Sequence, residues 1–422
     1  MTWYSSNALG KTWDQIKNSR GRDGRRSPSV GLDGVTAEKF DTNLDQNIAE
    51  IHRLLSQPDR EDPSFPAYRF APFRTKTISS EPGKLRQIHI PRIRDQIVLR
   101  AMSDEISRVL SKKYPEFLKT SPRHAVKQVI MGRESGKLQV LRADVNKYYP
   151  SIPHPFILKL LADFEVDSRV IQLTQRALTV PLRDTRLGKS ADQENTLGTP
   201  TGTSLSTVLG ECYLLDLENS LQLKNIKLIR YVDDILILAE KLDQLELAHR
   251  NLGRALEVRG LALSKAKTWK KSFKEGFDFL GFSFDKNRVR VMESKALKWG
   301  RTYQGIARSF AKKIKEASGS KEKDCLLEEM VREVNREVSG ASGMQVPYYS
   351  IADDLSPFKE LDKQIRVILG GIFRRSGKKM CGSLRLESAH AWAWKYKNSY
   401  KNALQEAQEK FTSFSIDSRN GL

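Results

Sequence analysis

The sequence predicts an α+β protein whose first part is rich in β-structure and whose remainder is helical. Three observations predict this. Two short apolar runs, IKLIRYV and ILILA, meet at Asp233-Asp234, as the strands of a tight hairpin do. A strand-like run upstream, LQVLRADV, carries Asp144 at its end. Beyond Lys295 apolar residues recur at helical spacing between polar connections.

In chain order, the first thirty residues are polar and rich in Ser, Arg and Gly, and they read as a loose basic arm. From Val35 to Leu55, Phe40, Leu44, Ile48, Ile51, Leu54 and Leu55 lie at helical spacing, so this stretch is expected to be one amphipathic helix. The Pro-rich stretch from Pro58 to Pro72 breaks it. RFAPFRTKTIS and KLRQIHIP flank a turn at Glu81-Pro82-Gly83 and read as a hairpin, followed by a helix over Gln96–Leu110. A helix is expected after Pro153 and Pro155, then a Gly/Thr/Ser loop around Gly198, a helical run from Leu205 to Leu221, and a helix from Leu242 to Arg259. A short strand at Leu261–Leu263 and the hairpin FDFLGFSFDKNRVRVM close the β-rich part.

Of 422 residues, 72 are Lys or Arg and 51 are Asp or Glu, which gives a formal charge of +21. With 39% hydrophobic and 29% charged residues the composition is globular. The length suits two or three domains of about 100–200 residues each. No apolar run nears the roughly 18 residues of a membrane span, and the opening residues lack a signal-peptide core. Cys212, Cys325 and Cys381 are too scattered for a zinc knuckle and too few for a disulfide framework. These features describe a soluble, intracellular, strongly basic protein, whose commonest polyanionic partner is nucleic acid. The surplus concentrates at Lys286, Arg288, Arg290, Lys295, Lys298, Arg301, Arg308, Lys312, Lys313 and Lys315, interleaved with Trp299, Tyr303 and Phe310. Cations for phosphates and rings for stacking suit a groove that tracks a strand. A second basic stretch surrounds Arg366, Arg374, Arg375, Lys378 and Lys379.

The most informative tetrapeptide is Tyr231-Val232-Asp233-Asp234. Adjacent carboxylates in a tight turn repel each other, and burying them is costly unless a cation resides there. A sheet that brought Asp144 beside the hairpin tip would supply a third carboxylate. Hard oxygen ligands that leave room for phosphate point to a pair of Mg²⁺ ions, which can activate a hydroxyl and stabilise departing pyrophosphate.

LRADVNKYYPSI, GTPTGTSLS, IRYVDDILILA, LALSKAKT and FLGF stand in the order and spacing of reverse transcriptase palm motifs, and the chain resembles that family. GKLRQIHIPRIRDQIVLRA is similar to the fingers of bacterial reverse transcriptases. GLDGVTAEKF resembles the segment before the fingers of group II intron enzymes, and VNREVSG with SPFKELDKQIRVILGGIFRR resembles their thumb. The resemblance implies a right-hand polymerase. Its expected parts are a basic arm at 1–30, fingers at 31–135, a palm at 136–292 with fingers returning at about 155–197, a helical thumb at 293–385 and a helical tail at 386–422.

It also implies residue roles. Asp144, Asp233 and Asp234, with the Val145 carbonyl, match the metal ligands for two Mg²⁺ ions, Mn²⁺ being the substitute, and Asp234 is the more peripheral. Tyr149 matches the bulky gate against a ribose 2′-hydroxyl. Lys76, Lys84 and Arg86 match the cations that hold the incoming triphosphate, and Gly202 lets the backbone approach the nucleotide. Thr201 stands where Gln is common. Lys267 resembles the lysine proposed to protonate pyrophosphate, and Phe279-Leu280-Gly281 resembles the primer grip. Lys298, Arg301, Arg308, Lys312 and Lys313 would grip the duplex.

No nuclease motif follows the thumb, which resembles compact retron-like or defence-associated bacterial enzymes of the cytoplasm. The implied partners are a structured non-coding RNA, a DNA product and deoxynucleotides, with no membrane. Two alternatives stand beside this reading. One is an RNA-binding splicing helper of the maturase type. The other is untemplated or protein-primed synthesis, with Tyr396 or Tyr400 as the primer hydroxyl.

Overall fold

The computed structural model describes residues 2–18, 28–81, 84–114, 121–184, 194–221, 223, 225–339, 345–378 and 386–399. The chain forms two compact units, residues 1–270 and 271–422.

The first unit opens with a correction. Residues Ser6–Asn18 are not a loose arm but a helix, α1. Leu9 and Trp13, one turn apart, are fully buried. Trp13 packs on Phe40 with ring centroids 4.9 Å apart and donates to Asp41 at 2.7 Å. A few well-spaced apolar residues thus outweigh the polar composition. The rest of the expected arm up to residue 27 lies outside the described residues.

The single helix read over Val35–Leu55 is two, α2 (Ala37–Asp41) and α3 (Leu44–Ser56). Asn43, at φ −128° and ψ 43°, leaves the helical conformation and so separates the two, although its side chain makes no capping bond to α3. There follow β1 (Phe73–Glu81), β2 (Lys84–Ile90), α4 (Ile93–Lys113) and α5 (Pro122–Glu134). Then come β3 (Gln139–Asp144), α6 (Tyr148–Ser151), α7 (His154–Asp163), α8 (Ser168–Leu178) and β4 (Leu182–Asp184). The unit continues through α9 (Ser204–Tyr213), α10 (Leu217–Leu221), β5 (Lys227–Tyr231), β6 (Asp234–Ala239), α11 (Leu242–Glu257) and β7 (Trp269–Ser272), whose last residues pass into the second unit.

One sheet has the order β2-β1-β4, with β1 and β2 antiparallel and β4 parallel to β1. The other has the order β5-β6-β3-β7. Its β6 is buried throughout from Ile235 to Ala239, which is why ILILA shows no alternation. The strand expected at Leu261–Leu263 reduces to one bridge, Leu263 to Val145, with Asn146 N–H on the Ala262 carbonyl at 2.8 Å.

In the second unit, β8 (Phe277–Phe279), β9 (Phe282–Phe284) and β10 (Val289–Val291) form an antiparallel sheet. This segment, expected within the palm, is grouped by its packing with the helices that follow. Those are α12 (Glu293–Glu316), α13 (Ser320–Val338), α14 (Gln345–Tyr349) and α15 (Ser356–Arg375), and residues 389–399 are also helical. Trp299, Tyr303, Phe310 and Ile314 fall on one face of α12 and are buried, Trp299 stacking on Phe358 at 4.9 Å. No helix among the described residues is long and apolar enough to cross a membrane.

Candidate active site

The hairpin tip is built by register. β5 and β6 pair antiparallel with Tyr231 opposite Asp234, so only Val232 and Asp233 make the turn. Val232 takes φ +58°, a left-handed conformation costly for a β-branched side chain, on the order of 1–3 kcal/mol. β3 pairs with the other edge of β6, with Asp144 opposite Asp234. Three residues from two distant stretches therefore meet at one end of the sheet.

Their electrostatics differ. Asp234 is clamped by Arg142, two residue pairs deeper in the sheet, with Nε on Oδ1 at 3.0 Å and Nη2 on Oδ2 at 2.9 Å. Lys267 places Nζ 2.8 and 3.0 Å from the two oxygens of Asp144. No ion pair reaches Asp233 among the described residues. Burial, with the nearby charges of Asp144 and Asp234, holds the Asp233 carboxyl above its usual range. Burial also raises Asp234, against the pull of Arg142. Asp234, expected among the metal ligands, is thus engaged elsewhere. Among the described residues no group of three or more His, Cys, Asp or Glu is arranged to hold a metal. The donor chemistry left, Asp144, the under-compensated Asp233 and the Val145 carbonyl, is hard oxygen and fits Mg²⁺. Lys267 is no obstacle, since its side chain is 55% exposed and such a pair is worth about 0–1 kcal/mol.

Beneath the tip lies an ion pair that the sequence reading missed. Arg230 Nη1 donates to Glu211 Oε2 at 2.9 Å and to the Val232 carbonyl at 3.2 Å, while Nη2 reaches the Glu211 carbonyl at 3.3 Å. Both side chains are about nine-tenths buried. Burial raises the Glu211 carboxyl and Arg230 opposes the rise. The guanidinium therefore braces the strained residue of the turn. A glutamate inside the apolar helix LSTVLGECYLL was the available signal.

Tyr149 sits on α6, half-buried, and the charges of Glu211 and Asp233 add to burial in raising its phenol. The ring packs against α9 at Gly210, where an added Cβ would lie 2.8 Å from Tyr149 Cε1. Its carbonyl accepts from Thr199 N–H at 2.8 Å. Of the expected triphosphate cations, Lys76 and Arg86 are exposed and share a face of the β1–β2 hairpin, because Lys76 pairs with Ile88 and Ile78 with Arg86. Lys84 opens β2, but its side chain lies outside the described residues. Gly202, at φ +96°, packs on that same face: a Cβ there would lie 3.1 Å from Ile88 Cβ. Thr201 donates to the Gln87 carbonyl at 2.8 Å and accepts from His89 N–H at 2.7 Å, so it anchors the loop to β2.

The second unit holds the expected primer grip and duplex contacts. Leu280 and Gly281, at φ +47° and +84°, form the two-residue turn between β8 and β9. Phe279 and Gly281 are buried, so neither offers a surface to nucleic acid, and Tyr348 donates to the Leu280 carbonyl at 2.6 Å. On α12 the rings expected to stack on bases are core. The cations Lys298, Arg301, Arg308, Lys312 and Lys313 are exposed. Tyr396 donates its hydroxyl to the Ser339 carbonyl at 2.6 Å, and Tyr400 lies outside the described residues.

Residues 75–284 match the family model for reverse transcriptase (RNA-dependent DNA polymerase). The protein YkfC of Escherichia coli strain K12 is 25% identical over 329 residues, covering 67% of this chain and 82% of that protein. An uncharacterised 91 kDa protein in the cob intron of Schizosaccharomyces pombe is 27% identical over 193 residues, covering 44% of this chain and 22% of that one. Among solved structures, telomerase from Candida albicans in complex with a fragment of telomeric RNA has a TM-score of 0.45 at 14% identity, over 79% of this chain and 63% of that one.

Proposed function

We propose that this chain, whose residues 75–284 are a reverse transcriptase domain, an RNA-directed DNA polymerase of the right-hand fold, copies a structured non-coding RNA into cDNA in bacterial antiviral defence. The observation that carries polymerase chemistry is the register that sets Asp144 beside the Val232-Asp233 turn. The defence setting rests on the resemblance of the motifs to compact bacterial enzymes.

Asp144, Asp233 and the Val145 carbonyl would hold the divalent ions. Bound there, Mg²⁺ or Mn²⁺ supplies the positive charge that makes a primer 3′-hydroxyl nucleophilic and stabilises pyrophosphate. Lys76 and Arg86 would bind the triphosphate from the hairpin face, and Gly202 would let the loop backbone come close to the nucleotide. Tyr149 would exclude the 2′-hydroxyl. Lys267, released from Asp144, would be placed to give a proton to the leaving group. The exposed cations of α12 would hold duplex through phosphates, without reading sequence. A splicing helper without catalysis would be favoured by cations on two of the three aspartates. The exposure of Lys267 and the unpaired Asp233 weigh against it.

The test is extension of a DNA primer on defined RNA templates with deoxynucleotides and Mg²⁺. Product that follows the template, and is lost in the Asp233→Ala, Asp234→Ala double variant while RNA binding persists, supports the reading. Template-independent product, or synthesis by the double variant, overturns it. Sequencing of copurified nucleic acid then identifies the RNA.

A further inference from the structure

The floor beneath the gate ring is made by an absent side chain. Gly210 lies in the middle of α9, where a glycine costs about 1 kcal/mol relative to alanine. Its φ is not left-handed, so the backbone does not require it. What requires it is space. A Cβ built there would lie 2.8 Å from Tyr149 Cε1, 3.3 Å from Tyr149 Cζ and 3.3 Å from Tyr148 Cε1.

The two rings are not equally free to yield. Tyr148 is 2% exposed, and its hydroxyl donates to the Gly210 carbonyl at 2.5 Å. It is pinned from both sides. Tyr149 is half-buried, packs on Tyr148 with centroids 5.3 Å apart, and has its backbone held by Thr199. A methyl group at position 210 would therefore move the Tyr149 ring, not the Tyr148 ring, outward from α9.

We infer that Gly210 is a specificity-determining positioning residue, whose missing side chain seats the Tyr149 ring low against α9 and so fixes how much room the incoming sugar has. The inference rests on the proposed role of Tyr149 and deepens it. Adding one methyl would raise the ring into the space below C2′. Deoxynucleotides would then bind less well, and ribonucleotides would be excluded more strongly.

The experiment is steady-state primer extension by the full chain with dTTP and with UTP. It compares the unaltered protein, Gly210→Ala, Tyr149→Ala and the double variant, with thermal melting of each. Gly210→Ala is expected to raise KM for dTTP about ten-fold with little change in kcat, and to widen discrimination against UTP, as uniform loss of ground-state binding does. In the Tyr149→Ala background the same change should have little effect on KM or discrimination, because the ring it displaces is gone and only the 3.3 Å contact with Tyr148 remains. An equal loss in both backgrounds, or unchanged discrimination by a well-folded Gly210→Ala, overturns the inference. Unaltered protein that fails to extend with dTTP overturns the polymerase reading instead, so the two failures are separable. Should Gly210→Ala melt early, Gly210→Ser in the same cycle supplies a second probe, and additivity there also overturns it.

Discussion

The Asp233-Asp234 hairpin and helix α12 both concentrate charge, and they treat it in opposite ways. At the hairpin each carboxylate is at least partly buried, and most are answered by a specific partner: Arg142 for Asp234, Arg230 for Glu211 and Lys267 for Asp144. On α12, Lys298, Arg301, Arg308 and Lys312 stand exposed, and the one ion pair any of them makes among the described residues, Lys312 with Glu316, is stretched to 4.0 Å. Buried charge fixes geometry, since each group loses its water and needs one partner at one angle. Exposed charge supplies a field, to which every cation contributes a little and none is indispensable.

The sharpest test of the first half of this contrast separates the adjacent aspartates. Among the described residues Asp233 has no ion-pair partner to lose, whereas Asp234 is braced by Arg142. Asp233→Asn should lower single-turnover primer extension by more than about 10³-fold, the scale of losing a group that stabilises the transition state directly. Asp234→Asn keeps one acceptor for Arg142 and should cost only about ten-fold. Equal losses would mean that the clamp does not set the roles apart.

Next in size is the ion pair under the turn. Arg230→Met strands Glu211 in a buried site and should cost about 3–5 kcal/mol in urea unfolding. Adding Glu211→Leu should recover most of that. Activity should not return with it, because Val232 would still lack the bond that braces its left-handed turn.

Burial also sets the acid limit. His89 lies between β1 and the Thr201 loop, with Nδ1 3.1 Å from Thr75 Oγ1, and burial pushes its imidazole down to about 4. The unfolded chain takes up this proton near pH 6.5 and the folded one only near 4. Stability from the neutral ring is therefore complete above 6.5 and is lost as pH falls toward 4, by up to about 3 kcal/mol. His89→Gln should flatten that part of a stability-against-pH curve. A slope that survives the change belongs to other groups.

Legibility followed the same divide. β3, β5, β6 and the Asp233 turn were readable because their signal is local: apolar runs bounded by carboxylates. α1 was missed because its two anchors, Leu9 and Trp13, sit among polar residues that dominate the composition. α5 was also missed, although Ser121 before Pro122 is a capping signal and accepts from His124 N–H at 3.1 Å. The clamps were invisible for a different reason. Arg142 and Asp234 are 92 residues apart, and no periodicity links a guanidinium to a carboxylate across that distance. On α12 the cations expected to grip duplex are exposed, whereas the rings expected to stack on bases are buried. Trp299, Tyr303 and Phe310 follow the helical period that defines a buried face, and that period alone could have assigned them to the core.

The smallest effects belong to that helix, and their smallness is the point. Lys298, Arg301, Arg308, Lys312 and Lys315 recur at intervals of three, four or seven, which places them in one stripe opposite the buried rings. If the stripe holds duplex through phosphates, each cation displaces about one counterion and no single one is essential. Lys312→Ala should weaken binding of an RNA–DNA duplex only about two- to three-fold at moderate salt. Lys312→Glu with Lys315→Glu should weaken it about ten-fold and reduce the slope of log affinity against log salt by about two. Both proteins should melt within about half a kcal/mol of the parent, since exposed sites of this kind rarely carry more. A single α12 cation whose loss abolished binding would behave like the hairpin, and would show that charge here also works through one fixed partner.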